Sequence, residues 1–153
     1  VAELRQGRKQ SHWMWFIFPQ LAGFGRSLMA QRFAIASRTE AVAYLGHGVL
    51  GFRLKECTAL ITAVEGRTVR EILGSPDDLK FQSSMTLFSA VSSDPKIRRG
   101  HRDALRRKAR PKDVGSIVAA DLRDLDGSLS CCSLPSAKCP LCAQKQPFAL
   151  RAL

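Results

Sequence analysis

The sequence predicts an all-α fold, a small compact helical domain, on the basis of three observations. Apolar residues recur three or four positions apart from Leu50 to Val64, which is the spacing of one helix face. Two sequences of the form Ser/Thr-x-x-Glu, beginning at Ser37 and Thr68, match the capping box of a helix start. No stretch alternates apolar and polar residues convincingly, as a half-buried strand would.

The N-terminal part consists of a helix end followed by an aromatic run. Residues 1–9 resemble the end of a helix already under way, so we expect the natural N-terminus to lie upstream of Val1. The run SHWMWFIFPQL at residues 11–21 contains both tryptophans and is best explained as core, since each buried bulky side chain contributes about 1.5–3 kcal/mol. It is stopped by Pro19, well short of the roughly 18 apolar residues that a membrane span needs.

Each later helix begins at a recognisable start signal. The predicted starts are Ser27, Ser37, Leu50, Thr68 and Ser75. Gly23 and Gly25 mark the loop before the first of these helices, and Gly66 ends the long one. In the sequence SPDD at residues 75–78, a cap, a proline at the first helical position and two acids in the first turn favour a helix start.

The charge divides the chain into a domain over residues 1–95 and a basic tail over residues 96–153, which we expect to be disordered. Of the net charge of +11, most lies in the tail, where nine Lys or Arg residues between Lys96 and Lys112 face only Asp103. Residues 96–112 could therefore bind nucleic-acid phosphates without sequence preference. They have no interleaved aromatic residues for base stacking, which favours accidental attraction over function.

Cysteine usage follows the same division. Cys57 lies in the apolar stripe and is interpreted as a packing residue in a reducing, cytoplasmic protein. In the tail, Cys132, Cys139 and Cys142, with a further cysteine at position 131, could supply zinc thiolates. The first two tail cysteines are adjacent rather than spaced for chelation, so we expect no metal and no cofactor.

Two longer segments carry a family resemblance. The aromatic run and SPDDLKFQSSMTLF at residues 75–88, preceded by RKQ and GRTVREILG respectively, resemble the bacterial family called domain of unknown function 1810. The resemblance covers residues 1–95 and implies a small, mainly helical cytoplasmic protein without an established activity. Some members are labelled calpastatin, which fits poorly because the true calpain inhibitors are disordered polar chains.

The resemblance stops at Lys96, where the family implies an aromatic-containing helix and a closing Gly-Gly-x-Pro-Asp-x-x-Thr-Leu pattern. With the codons shifted by one base, residues 104–117 can be reread as LYGGKPDPKTLALL. We hypothesise a change of reading frame near codon 96. Loss of the native last helix would then leave apolar faces exposed around Leu79, Met85 and Phe88.

His12, within the first motif, is the first candidate for a functional residue. Its imidazole, beside Trp13 and Trp15, could act as a general acid or base. The simpler interpretation is a histidine that forms hydrogen bonds at the edge of the core. Buried tryptophans also need partners for their indole N–H groups, and His12 or Gln20 could supply them.

The second motif adds a pair of carboxylates and several polar side chains. Asp77 and Asp78 could form a catalytic or metal-binding pair, or simply complement the helix dipole in the first turn. Lys80 and Ser84 are four positions apart and share a helix face, with Ser83 beside them.

We therefore predict a small helical protein that binds a small molecule or a protein, and no membrane, in a pocket between the aromatic run and the helix beginning at Pro76. The expected ligand-binding residues are His12, Trp13, Trp15, Gln20, Asp78, Lys80, Ser83 and Ser84. The alternative is a hydrolase or transferase with His12 as base and Asp77 or Asp78 as acid or metal ligand. A third possibility is weak nucleic-acid binding through residues 96–112.

Overall fold

Helices account for nearly all regular structure in the part of the chain that the structure describes. A computed structural model describes residues 1–25 and 27–106. Its helices are α1 (Ala2–Arg5), α2 (Met14–Ile17), α3 (Leu28–Arg32), α4 (Arg38–Gly46), α5 (Leu50–Ala63), α6 (Val69–Leu73), α7 (Asp77–Ser89) and α8 (Pro95–Leu105). One isolated parallel bridge joins Leu21 to Ile35. The predicted all-α class is confirmed.

The predicted helix starts are largely those of the structure. The Ser27 hydroxyl accepts a hydrogen bond from the N–H of Ala30, and Thr68 forms a complete capping box with Glu71. At α4 the Ser37 hydroxyl accepts the N–H of Glu40, while the Glu40 carboxylate accepts the N–H of Ala36 rather than that of Ser37. At α7 the expected Ser75 cap is wrong, because no side chain caps this helix and it begins one residue after the cis-bonded Pro76.

The core forms where α5 and α7 pack against the aromatic run and against α8. From the predicted stripe, Leu50, Leu54, Cys57 and Ile61 are buried. The Phe18 and Phe81 rings pack edge to face with centroids 5.0 Å apart, which joins the aromatic run to α7. Burial raises the pKa of the Cys57 thiol to about 11, in keeping with a packing role.

The helical packing extends beyond residue 95. The domain boundary that the charge distribution predicts at this residue therefore lies too early in the chain. Helix α8 packs against α7 and α5. Its inward residues Ile97, Gly100 and Ala104 are buried, while its basic residues lie on the outer face. This apolar face is difficult to recognise in the sequence, because it consists of three small or medium-sized residues on a helix that is otherwise rich in charged residues.

Helix α8 also changes the expected exposure of α7. Met85 and Phe88 are fully buried, so the expectation that their surroundings are exposed is wrong, whereas Leu79 is 50% exposed. A Cβ placed on Gly100 would lie 2.5 Å from Cγ2 of Thr58 and 3.0 Å from the sulfur of Met85. The close approach of α8 to α5 and α7 therefore requires glycine at this position.

Candidate functional site

The Asp77 carboxylate lies between two lysine ammonium groups. Lys9 Nζ is 2.6 Å from Oδ2 and Lys80 Nζ is 2.7 Å from Oδ1. The exposed fractions of the Lys9, Asp77 and Lys80 side chains are 7%, 17% and 24%. Burial raises the pKa of Asp77, but hydrogen bonds and positive charge from Lys80 and Lys9 lower it more, so that it lies below its usual value.

Each ammonium group also lies over a tryptophan ring. Lys9 Nζ is 5.5 Å from the ring centroid of Trp13, and Lys80 Nζ is 5.6 Å from that of Trp15. Trp13 is buried, whereas Trp15 is half-buried. These are cation–π contacts within the range in which the ring face attracts a cation. We call Lys9, Trp13, Trp15, Asp77 and Lys80 the lysine–tryptophan cluster.

Glu3 organises the loop that carries the first half of this cluster. Its carboxylate accepts hydrogen bonds from the backbone N–H of Gln10 at 2.8 Å, from the N–H and hydroxyl of Ser11, and from Trp13 Nε1 at 3.1 Å. Burial raises the pKa of Glu3, but these hydrogen bonds outweigh it and lower the pKa to about 2. The indole partner of Trp13 is thus Glu3, and the suggestion of His12 or Gln20 for this tryptophan is wrong.

His12 lies at the edge of the cluster. It is exposed, and its ring stacks on Trp15 with centroids 6.5 Å apart and an interplanar angle of 21°. Within the described residues, the ion-pair partners of Asp77 are Lys9 and Lys80, not His12. The His12 imidazole and the Lys80 ammonium therefore both contact the Trp15 ring.

Asp78 and Gln20 each accept a hydrogen bond from a backbone N–H group. Asp78 is buried, and its Oδ1 accepts the N–H of Leu79 at 2.9 Å in the first turn of α7. The backbone carbonyl of Gln20 accepts the N–H of Ile35 at 2.8 Å, beside the bridge. For Asp77 and Asp78, a place in the first turn agrees with stabilisation by the helix dipole.

Ser83 and Ser84 are buried in α7, with exposed fractions of 2% and 0%. Among the described residues, neither hydroxyl oxygen has a hydrogen-bond partner. Ser84 lies one helical turn beyond Lys80, on the face of α7 that carries the lysine–tryptophan cluster. Buried hydroxyls without partners are uncommon and raise the question of what satisfies them.

Two clefts lined by described residues lie along α8, away from the lysine–tryptophan cluster. One, of about 400 Å³, runs between the end of α5, the start of α6 and α8, with Arg67, Arg99 and Asp103 among its walls. The other, of about 490 Å³, lies where α7 leads into α8. The predicted pocket beside the aromatic run corresponds to neither.

Metal-binding residue types do not gather in the described part of the chain, which holds no group of three or more His, Cys, Asp or Glu suited to a metal ion. The zinc candidates Cys132, Cys139 and Cys142 lie outside the described residues, as do residues 107–112 of the basic stretch. Within residues 1–25 and 27–106, none of the helices is both long and apolar enough to cross a membrane.

A family model described as protein of unknown function DUF1810 matches residues 1–108. The chain belongs to this family. The match continues past residue 95 and includes α8. A crystal structure of the conserved hypothetical protein Rv1873 from Mycobacterium tuberculosis is similar, with 52% sequence identity, a TM-score of 0.60, and coverage of 67% of this chain and 69% of that chain. No curated protein matches the chain.

Sequence reasoning missed two residues of the site, Glu3 and Lys9. Both precede the aromatic run, and their partners Trp13 and Asp77 are brought to them by the fold rather than by helical spacing. One signal was available: a buried indole needs an acceptor, and a carboxylate close in sequence was a candidate.

Proposed function

We propose that this protein binds a small molecule that carries an anionic group beside a planar ring, at the surface formed by His12, Trp15 and Lys80. The observation that carries the proposal is the position of the Lys80 ammonium, which contacts both Asp77 and the half-buried Trp15 ring. A cation beside a partly exposed aromatic face offers two different contacts to one ligand.

The charge balance of the cluster supports an anionic ligand. Two ammonium groups share one carboxylate, so the group Lys9, Asp77 and Lys80 has a net positive charge. Lys80 is the more exposed of the two lysines, and an ammonium has three N–H donors. A ligand carboxylate or phosphate could therefore accept a hydrogen bond from Lys80 while Asp77 stays in place.

The stacking of His12 on Trp15 supports the planar part of the ligand. His12 is exposed and Trp15 is half-buried, so a flat ligand could extend this stack or replace the imidazole. The proposal does not include catalysis, and the hydrolase or transferase alternative, with His12 as base and Asp77 or Asp78 as acid or metal ligand, stays a separate prediction. The cytoplasmic location stays a prediction.

The test uses three probes on the full chain: benzoate, which has both ring and charge, acetate, which has the charge alone, and benzyl alcohol, which has the ring alone. Tryptophan fluorescence and the indole N–H signals in NMR report binding. We expect benzoate to bind at least tenfold more tightly than either partial probe. Equal affinities, or no saturable change with benzoate, would contradict the proposal.

Variants locate the binding. Lys80→Gln should reduce benzoate affinity to that of benzyl alcohol, and Trp15→Leu should reduce it to that of acetate. Lys96→Gln is the matched control, since Lys96 is an exposed lysine on α8 outside the cluster. Circular dichroism checks that each variant is folded. If Lys96→Gln weakened benzoate as much as Lys80→Gln, general charge attraction would replace the proposed site.

A further inference from the structure

The cleft where α7 leads into α8 has the volume of a small-molecule site and a polar, positively charged lining. Its volume is about 490 Å³, within the range of about 300–1,000 Å³ that is usual for such sites. It is lined by Ser89, Ser93, Pro95, Arg98, His101 and Arg102. These residues come from the end of α7, the connecting segment and the outer face of α8.

Positive charge in this cleft is not balanced by the described residues. Arg98 and Arg102 are four positions apart on α8 and so lie on the same face. Within the described residues neither has an ion pair, whereas the neighbouring Arg99 contacts Asp103 at 3.8 Å and donates to the carbonyl of Thr62. Like charges at this spacing destabilise a helix slightly, and a bound anion would relieve that repulsion.

Asp94, the carboxylate at the start of α8, already has hydrogen-bond and ion-pair partners. Asp94 accepts the N–H of Lys96 at 2.9 Å and pairs with Lys55 at 3.3 Å. Burial raises the pKa of Asp94, but these contacts lower it more, so it lies below the usual value. Asp94 therefore stays ionised but is engaged away from Arg98 and Arg102.

Neutral polar groups complete the cleft. His101 is half-buried, and desolvation lowers its pKa, which favours the uncharged ring at neutral pH. The Ser89 hydroxyl donates to the carbonyl of Thr86 at 2.9 Å, so its oxygen stays able to accept a hydrogen bond. The Ser93 side chain is exposed at the rim.

We propose that this cleft binds the phosphate monoester of a small polyhydroxylated molecule. The guanidinium groups of Arg98 and Arg102 hold the phosphate, since their planar donor sets match its oxygens. His101, Ser89 and Ser93 exchange hydrogen bonds with the hydroxyls. The site is separate from the lysine–tryptophan cluster and does not depend on the function proposed there.

The test is isothermal titration calorimetry of the full chain with ribose 5-phosphate and with ribose. These probes lack an aromatic ring, so they do not test the surface at Trp15. We expect ribose 5-phosphate to bind at least tenfold more tightly than ribose. Equal affinity for the two sugars, or no saturable heat at millimolar ribose 5-phosphate, would overturn the proposal.

Charge-neutral variants separate the cleft from the general positive charge of α8. Arg98→Gln and Arg102→Gln should each weaken ribose 5-phosphate binding at least fivefold. Lys96→Gln removes a charge from the same helix outside the cleft and should change the affinity less than twofold, as should Lys80→Gln. Equal effects of all three α8 variants would overturn the proposal.

The phosphodiester backbone of a nucleic acid is the other source of a phosphate group that Arg98 and Arg102 could bind. A ten-nucleotide single-stranded DNA therefore serves as a competing probe, measured at two salt concentrations because backbone contacts are strongly salt-dependent. We expect ribose 5-phosphate to keep its preference for the arginine pair at both concentrations. Tighter binding of the DNA, weakened alike by loss of Lys96, Arg98 or Arg102, would assign α8 to nucleic acid and overturn the small-molecule site.

Discussion

The Lys9 ammonium lies 2.6 Å from Oδ2 of Asp77, and its side chain is only 7% exposed. This contact fastens the loop before the aromatic run to the first turn of α7. A charge taken out of water needs its partner, because an unpaired buried ion is strongly unfavourable. The pair is therefore sensitive to loss of either member.

Replacement of Lys9 should destabilise the domain more than replacement of Lys80. Lys9→Met should lower the free energy of unfolding by about 1–3 kcal/mol, because Asp77 is left with one partner in a mostly buried place. Lys80→Met should cost less, since Lys80 is more exposed and Lys9 still holds Asp77. Urea titrations of both variants measure this; equal losses, or none for Lys9→Met, would disprove the asymmetry.

Glu3 should make stability depend on acid pH. Its pKa is about 2 in the folded protein against an ordinary value of 4.5, so the folded state stabilises the ionised carboxylate. The stabilisation is complete above about pH 5 and is lost as the pH falls from there towards 2. Glu3→Gln should therefore destabilise the protein at neutral pH, with a difference from the natural chain that shrinks below about pH 3.

Urea titrations of the natural chain and Glu3→Gln at about pH 7, 4 and 2.5 test this prediction. Glu71 provides a comparison, since its pKa is also lowered by the capping-box bonds of Thr68, but Glu71 is exposed. Glu71→Gln should show a weaker pH dependence because water screens its interactions. A Glu3→Gln difference that stayed constant across the range would mean that hydrogen-bond geometry, and not ionisation, stabilises the loop.

Gly100 tests whether α8 belongs to the folded domain. An added methyl group would lie 2.5 Å from Thr58 Cγ2, so Gly100→Ala should lower stability by about 1–3 kcal/mol despite the better helix propensity of alanine. Gly46, at the end of α4, is the matched control because nothing lies within 4 Å of its added Cβ. Gly46→Ala should be neutral or slightly stabilising. Similar melting temperatures for both variants would mean that α8 does not pack as described.

The local features of this fold could be predicted from sequence, whereas the long-range pairings could not. The stripe from Leu50 to Ile61 and the caps at Ser27 and Thr68 depend on spacing within one helix, which the sequence displays directly. The partners of Lys9 and Glu3 depend on how separate segments pack. No periodicity encodes such contacts.

The boundary at residue 95 failed for a different physical reason. Charged residues dominate α8, and they masked Ile97, Gly100 and Ala104, whose spacing of three and four still marks one helix face. Gly100 does not count as apolar in a sequence pattern, although its lack of a side chain permits the closest approach of α8 to its neighbouring helices.

The reading-frame hypothesis stays a prediction. Sequencing of the coding DNA across codons 90–120 decides it, because a frame change requires LYGGKPDPKTLALL in the repaired reading.

Two buried hydroxyls should respond to removal with opposite signs. Ser84 Oγ has no hydrogen-bond partner among the described residues, whereas Thr58 Oγ1 donates to the carbonyl of Leu54 at 2.7 Å. Ser84→Ala should therefore raise the free energy of unfolding, by up to about 1 kcal/mol, because it removes an unsatisfied polar group. Thr58→Val should lower it by about 1 kcal/mol, because it removes a satisfied one.

Thermal melts of the two variants, together with the benzoate affinity of Ser84→Ala, distinguish a packing role for Ser84 from a binding role. If Ser84 serves the site next to Lys80, Ser84→Ala should be more stable than the natural chain and should bind benzoate more weakly. A gain in stability with unchanged benzoate affinity would separate Ser84 from that site. A loss of stability would show that the hydroxyl has a partner after all, since removal of a satisfied buried group leaves that partner without a bond.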